Sequence, residues 1–147
     1  MHPDVDFRAD PEAIYRQVVA LDDAGFAALM ADAESRDRVI DVLVEHMASR
    51  LRPEAAKDLD AVLHVKLWDR PGGGYDHREL VIRDGACFVS PEPVGEARLT
   101  LKIRPEDLRK VIAGSAGPKR LALRGRLRAI GDLGLGLRLT ELFDLSA

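Results

Sequence analysis

Cysteine, aromatic residues and long apolar runs are all scarce in this sequence of 147 residues. The single cysteine, Cys87, excludes an internal disulfide. No run of about 18 uninterrupted apolar residues occurs, so no segment is predicted to span a membrane. Aromatic residues make up only 5% of the chain, so the core must consist of leucine, valine, isoleucine and alanine.

The beginning of the sequence also lacks a recognisable targeting signal. Residues 1–6 are acidic and do not show the order of basic and then apolar residues that is typical of a secretory signal peptide. We therefore expect a cytoplasmic protein. The length fits one domain with a single core, and the hydrophobic (46%) and charged (32%) fractions are ordinary for a globular protein.

Clusters of residues that carry catalysis or bind metals are missing from the sequence. The four histidines, at positions 2, 46, 64 and 77, are scattered and do not form metal-ligand spacings with cysteine or acidic residues. The serines lie in no recognisable nucleophile motif. Cys87, between Ala86 and Phe88, is interpreted as a small core residue. The sequence therefore predicts no catalytic residue, no metal and no cofactor.

Helical periodicity occupies the first third of the chain. Capping signals predict helices that begin near Asp10-Pro11-Glu12, near Asp22 and at Ser35. Further helices are expected over 105–113 and 118–123. These segments carry apolar residues at helical spacing and charged residues between them.

Strand periodicity begins after residue 60. Alternating patterns predict five strands, at about 61–69, 78–83, 86–90, 96–103 and 124–130. Asp84-Gly85 predicts a tight hairpin between the second and third strands. The fold class that follows is α/β of the α+β type, with a five-stranded, mainly antiparallel sheet and helices packed on one face.

The terminal segment, residues 131–143, is rich in leucine and glycine. Its leucines alternate as in a strand, but Asp132 is placed as an N-cap and favours one helix. On a helix, one apolar stripe contains Leu135, Leu139 and Leu142. The two internal glycines each cost about 1 kcal/mol relative to alanine. Two interpretations remain open: a core helix packed tightly on the sheet, or one wall of an apolar ligand tunnel.

The run from Ala97 to Leu145 resembles the C-terminal half of the sterol carrier protein type 2 domain. The matching segments are Leu99-Thr100-Leu101, Pro105-Glu106-Asp107-Leu108, Gly125-Arg126-Leu127, Gly131-Asp132-Leu133-Gly134 and Leu142-Phe143. Upstream, residues 63–67 and 80–85 are similar to the first strands of that family. The resemblance therefore covers about residues 35–145.

This resemblance implies a non-catalytic domain with an apolar tunnel for fatty acyl chains, sterols or related lipids such as isoprenoids. The residues expected to line the tunnel are Phe88, Leu108, Val111, Ile112, Leu135, Leu139, Leu142 and Phe143. The minimal family domain does not explain residues 1–34, which we interpret as an acidic helical extension before a lipid-binding domain at 35–147. The alternative is a protein-interaction or homodimerisation module of the same fold without lipid cargo.

The net charge of −3 conceals an asymmetry along the chain. Residues 1–60 contain 7 Lys/Arg and 14 Asp/Glu, whereas residues 98–138 contain 11 Lys/Arg and 3 Asp/Glu. The two parts either attract each other, within one chain or between subunits, or the basic part binds an anionic partner.

Alternation predicts that Arg124, Arg126 and Arg128 share one face of the last strand. They are the candidate contacts to an anionic surface, and an ordinary solvated sheet face is the alternative. Membrane contact would be peripheral at most. No nucleic-acid partner is expected, because Trp68 is the only stacking aromatic residue at the matching positions.

Overall fold

The computed structural model describes residues 5–90, 92–93 and 95–145. Four helices come first: α1 (Pro11–Ala20), α2 (Asp23–Ala31), α3 (Ala33–Ser49) and α4 (Pro53–Ala56). Asp10, Asp22 and Asp32 cap the first three, and each carboxylate accepts a hydrogen bond from the backbone N–H three residues later. The third helix thus begins two residues before the predicted Ser35.

The sheet contains five strands: β1 (Ala61–Leu67), β2 (Asp76–Arg83), β3 (Ala86–Ser90), β4 (Leu99–Ile103) and β5 (Leu127–Gly131). Their order is β3-β2-β1-β4-β5. β1 and β4 run parallel, and the other neighbours run antiparallel. This arrangement confirms the predicted five-stranded, mainly antiparallel sheet. The hairpin between β2 and β3 is also confirmed, because Asp84 (φ 54°) and Gly85 (φ 72°) both adopt the positive φ of a primed turn.

The remaining helices lie in the second half of the chain: α5 (Pro105–Ile112), α6 (Pro118–Leu123), α7 (Leu133–Leu137) and α8 (Leu139–Leu142). The prediction of one continuous terminal helix is wrong, since the chain breaks at Arg138 into α7 and α8. Two glycines weaken α7 as a helix. Phe143 is extended and forms a β-bridge with Leu51, which ends α8.

The predicted start of the fifth strand at Arg124 is also wrong. Gly125 has φ 73° and closes α6, and the N–H of Arg126 donates to the carbonyl of Leu121 at 2.8 Å, as in a Schellman motif. A left-handed residue interrupts the extended backbone, so β5 begins only after this turn. The prediction that the three arginines share one strand face therefore fails, and only Arg128 lies on β5.

One face of the sheet packs against the helices. Every second residue of β1 and β4 is buried, and these side chains join one core with those of α3, α5, α7 and α8. The opposite face carries polar or partly exposed residues such as Lys66 and Lys102. Gly95 lies at this second face, where its backbone N–H donates to Glu79 at 2.8 Å.

The N-terminal helices α1 and α2 belong to the same core, because both pack on α3. Arg109 of α5 is buried, donates to the carbonyl of Leu21 at 2.7 Å and pairs with Asp23 at 2.9 Å. This arginine therefore links the two N-terminal helices to α5. Among the described residues, no helix is long and apolar enough to cross a bilayer.

Candidate ligand-binding groove

An apolar groove of about 290 Å³ opens between α6, β5, α7 and the start of α8. Its lining residues are Leu101, Pro118, Lys119, Ala122, Leu127, Ala129, Leu133, Gly136, Leu137, Leu139 and Thr140. Lys119 and Thr140 are the only polar side chains among them. The groove can therefore accept hydrocarbon along its length and one polar group at its margin.

Small residues create the space beneath α7. A Cβ atom added at Gly136 would lie 3.8 Å from the δ carbons of Leu99 and 3.9 Å from the Cβ of Ala129, which are ordinary contact distances. The glycine is thus not required by close packing. It leaves room for a methyl group, and Gly136 lines the groove.

Asp132 anchors α7 above the sheet. Its carboxylate accepts a hydrogen bond from the N–H of Leu135 at 3.0 Å and pairs with Arg98 at 2.8 Å. The backbone hydrogen bond, followed by the one from Arg98, holds the pKa of Asp132 below its usual value. The predicted N-cap role of Asp132 is confirmed, and it fixes one wall of the groove.

A second cavity of about 370 Å³ lies beside the groove and shares Pro118 and Thr140 with it. Its other walls are Arg52, Val111, the loop 114–117 and residues 143–145. The guanidinium of Arg52 donates to the carbonyl of Thr140 at 2.8 Å. This cavity is therefore more polar than the groove, and the two meet along one boundary.

Exposed leucines surround the groove. The exposed fractions of Leu123, Leu133 and Leu137 are 89%, 60% and 66%. Leu133 and Leu137 line the groove, and Leu123 lies on α6 one turn after Lys119. Large apolar side chains in such a group mark a site of interaction with a ligand, a protein or a membrane.

Of the eight predicted lining residues, three border the groove or the second cavity. Leu139 lines the groove, and Val111 and Phe143 line the second cavity. The other helical residues are buried in the adjoining core and border neither space: Leu108, Ile112, Leu135 and Leu142.

Phe88 is separated from this region. It is 60% exposed on β3 and pairs with Val81, whereas the neighbouring Cys87 and Val89 pack against the core. Successive strand residues point to opposite faces, so Phe88 points away from the helices. Phe88 therefore does not belong to the groove.

Sequence reasoning missed the contribution of α6 and β5 to the groove. Pro118, Ala122, Leu127 and Ala129 line it, although the sequence pattern of these segments predicted only a helix and a strand. The small residue Ala129 on the core side of β5 was the one feature of these segments that could have indicated space for a ligand.

The three candidate arginines have different environments. Arg126 makes hydrogen bonds of 3.0–3.2 Å to the buried carboxylate of Asp107, and these bonds raise the pKa of Arg126. Arg124 and Arg128 have no carboxylate within ion-pair distance in the described part of the chain. Arg126 is therefore engaged within the fold, while the other two remain available for contacts outside it.

The described residues contain no group of three histidine, cysteine or acidic side chains that could hold a metal ion. Burial raises the pKa of the Cys87 thiol to about 12, so the thiolate is scarce at neutral pH. Neither observation points to chemistry near the groove.

Comparison with known proteins assigns the fold. Residues 40–144 match the SCP-2 sterol transfer family. Sterol carrier protein 2 of Rattus norvegicus is 26% identical over 89 residues, which are 60% of this chain and 16% of that protein. The chain thus spans only a small part of the length of this curated relative.

Solved structures show the same fold. Palmitated SCP2L2 from Aedes aegypti aligns with a TM-score of 0.55 and 13% identity, and the match covers 67% of this chain and 88% of that one. The stereoselective inverting sec-alkylsulfatase Pisa1 from Pseudomonas sp. aligns with a TM-score of 0.56 and 15% identity over 26% of its length.

The alkylsulfatase match covers 95% of this chain, so it takes in the N-terminal helices as well as the sheet. The family match alone covers well over half of the chain, from α3 to the end of α8. Together with the sheet order and the helices on one face, this match shows that the chain belongs to the SCP-2 sterol transfer family.

Proposed function

We propose that the chain binds the hydrocarbon part of a lipid, of the fatty acyl, sterol or isoprenoid type, in the groove between α6, β5 and α7. The observation that carries this proposal is the lining of the groove, in which Lys119 and Thr140 are the only polar side chains. Membership of the SCP-2 sterol transfer family and the palmitated Aedes aegypti relative support it.

The physical basis of the affinity is burial of hydrocarbon. Each CH₂ group transferred from water gains about 0.8 kcal/mol before the costs of binding are subtracted. The groove of about 290 Å³ is near the lower limit of ligand sites, which are about 300–1,000 Å³. A long chain would therefore also extend past Pro118 and Thr140 into the second cavity.

The proposed role is carriage without catalysis. The lining of the groove contains no carboxylate, histidine or cysteine. Thr140 and the ammonium of Lys119 can hydrogen-bond or neutralise a polar head group, but no lining residue of the groove is a base that would activate them. Specificity then depends on the shape of the groove more than on polar contacts.

The experiment is a titration of the purified protein with a fluorescent long-chain fatty acid, together with mass spectrometry of its organic extracts under native conditions. We expect saturable binding at micromolar or lower concentration with weak dependence on salt, because burial rather than charge provides the affinity. If fatty acyl, sterol and isoprenoid probes all fail to bind, the carrier role is wrong. The exposed leucines would then indicate a protein partner or a second copy of the chain.

A further inference from the structure

We propose that α6 and α7 form a docking surface for an anionic phospholipid bilayer, so that the groove opens towards the membrane. The docking surface consists of Lys119, Arg120, Leu123, Arg124, Leu133 and Leu137. The inference rests on the proposed lipid-binding function, because a surface around the mouth of a lipid groove lets cargo pass to and from a bilayer without crossing water.

The leucines of α6 and α7 extend into solvent. Leu123, Leu133 and Leu137 are each at least 60% exposed, and they occur on the two helices that border the groove. A leucine that extends into water gains free energy when it enters the apolar part of a bilayer. Three such residues on the two helices therefore favour contact between this surface and the apolar part of a bilayer.

Positive charge without a carboxylate partner in the described structure lies on α6 and at its end. Among the described residues, Lys119, Arg120 and Arg124 form no ion pair with a carboxylate. Residues 118–137 contain five Lys/Arg and one Asp, a net charge of +4 in a chain whose total is −3. Anionic head groups attract basic residues close to the bilayer surface.

The start of α6 has a sequence that is unfavourable for a helix N-terminus. Its first turn contains Lys119 and no acidic residue, and its N-cap Gly117 offers no side-chain hydrogen bond. Cations near a helix N-terminus oppose the helix dipole. Local choices that oppose the fold are typical of functional positions.

Exposed leucines and the cation Lys119 lie together at the edge of the groove. Lys119 and Leu123 are four residues apart on α6 and share one face of that helix. Lys119, Leu133 and Leu137 line the groove together. The apolar side chains would enter the bilayer while the cations contact head groups around them.

The sheet face opposite the helices also carries cations and an exposed aromatic residue. It is a weaker candidate for membrane contact, and variants of its residues serve as controls. Lys66 and Lys102 also lack carboxylate partners among the described residues, but both ammonium groups lie over the ring of Tyr75, at 6.0 Å and 5.3 Å. Phe88 is as exposed as Leu133 and lies on that same side of the sheet. None of these residues lines the groove or the second cavity.

The test is sedimentation of the full chain with lipid vesicles. One set of vesicles contains phosphatidylcholine alone, and the other also contains about 30% phosphatidylserine, an anionic lipid that makes the vesicle surface negative. We expect binding to the anionic vesicles that is at least about tenfold tighter than to neutral ones and that weakens as salt increases. Leu123→Ser should reduce binding about tenfold. The double variant Arg120→Glu and Arg124→Glu should remove the preference for anionic vesicles.

The matched controls are Phe88→Ser and the double variant Lys66→Glu and Lys102→Glu, which should bind vesicles like the parent. Leu123, Arg120 and Arg124 do not line the groove, so their variants should still bind a fluorescent fatty acid in the absence of vesicles. If the parent binds fatty acid but ignores vesicles, or if control and docking variants lose binding equally, the docking surface is wrong while the lipid-binding function stands. Failure of fatty acid binding alone would instead refute the proposed function.

Discussion

Individual side chains distinguish the wall of the groove from the closed core. Leu139 and Leu142 lie one turn apart on α8, and their exposed fractions are 7% and 0%. Only Leu139 borders the groove. The two leucines therefore form a matched pair in which the residue type and the helix are the same and only the neighbouring space differs.

Replacement of each leucine by alanine should separate stability from binding. Leu142→Ala should cost about 2–5 kcal/mol, because a closed core leaves a cavity when a large side chain is removed. The loss of stability in Leu139→Ala should be near the low end of that range, because Leu139 already borders the groove. The same variant should change the affinity for a fatty acid. Denaturant midpoints with and without added lipid measure both effects, since a ligand of the folded state raises stability. Equal costs with no effect of lipid on either variant would place Leu139 in the closed core.

His77 on β2 predicts a loss of stability in mild acid. Its Nε2 atom is buried without a hydrogen-bond partner in the described structure, and its ring meets that of His64 at 4.6 Å. Burial lowers the pKa of His77, and His64, Lys66 and Arg78 lower it further, while Glu79 opposes them. Because the folded pKa lies below the unfolded value, the folded state loses stability as the pH falls below about 6.5.

The neutral variant His77→Gln should therefore lose less thermal stability than the parent between pH 7.5 and pH 5. The difference between the two proteins isolates His77 from the other groups that titrate in this range. Melting temperatures at several pH values measure it. Parallel curves for parent and variant would show that His77 gains a proton as easily in the folded state as in the unfolded one.

Helix starts and tight turns could be predicted from the sequence where one or two adjacent residues determine the backbone conformation. The acidic N-caps of α1 and α2 and the Asp84-Gly85 hairpin were predicted because their geometry depends on adjacent residues. The start of β5 was not predicted, because Gly125 at a left-handed φ overrides an alternating pattern. The position of the groove was not predicted for a different reason: α6, β5 and α7 are consecutive in the sequence, but the space between them depends on how they pack in three dimensions.

The turn between α6 and β5 gives a prediction for two neighbouring arginines. Arg126→Ser should destabilise the fold more than Arg124→Ser, because only Arg126 satisfies the buried carboxylate of Asp107. Urea unfolding of the two single variants compares them directly. A larger loss in the Arg124 variant would mean that Asp107 does not need its arginine partner.

For the whole molecule, attraction between its acidic and basic parts explains little of the charge asymmetry. Among the described residues, Asp23 is the one acidic residue of positions 1–60 that pairs with cations of positions 98–138, namely Arg109 and Lys110. Other cations of the basic part remain at the surface, and three of them lie on α6 or at its end. Charge and exposed apolar area therefore coincide beside the groove.

If the space beneath α7 is the proposed lipid site, two glycine variants of that helix should differ in lipid binding. Gly136→Met would fill the groove from α7, whereas Gly134 does not line the groove. In Gly134→Met the new Cβ would lie 3.3 Å from a carboxylate oxygen of Asp132, which has to move by only a few tenths of an ångström. Both changes remove a helix glycine, which costs about 1 kcal/mol relative to alanine, so neither should unfold the chain.

The measurement is titration of parent and both variants with a fluorescent long-chain fatty acid. We expect the affinity of Gly136→Met to fall at least about tenfold, equivalent to about 1.4 kcal/mol, and that of Gly134→Met to stay close to the parent. Unchanged binding by a folded Gly136→Met protein would contradict the account, since the lipid would then lie elsewhere.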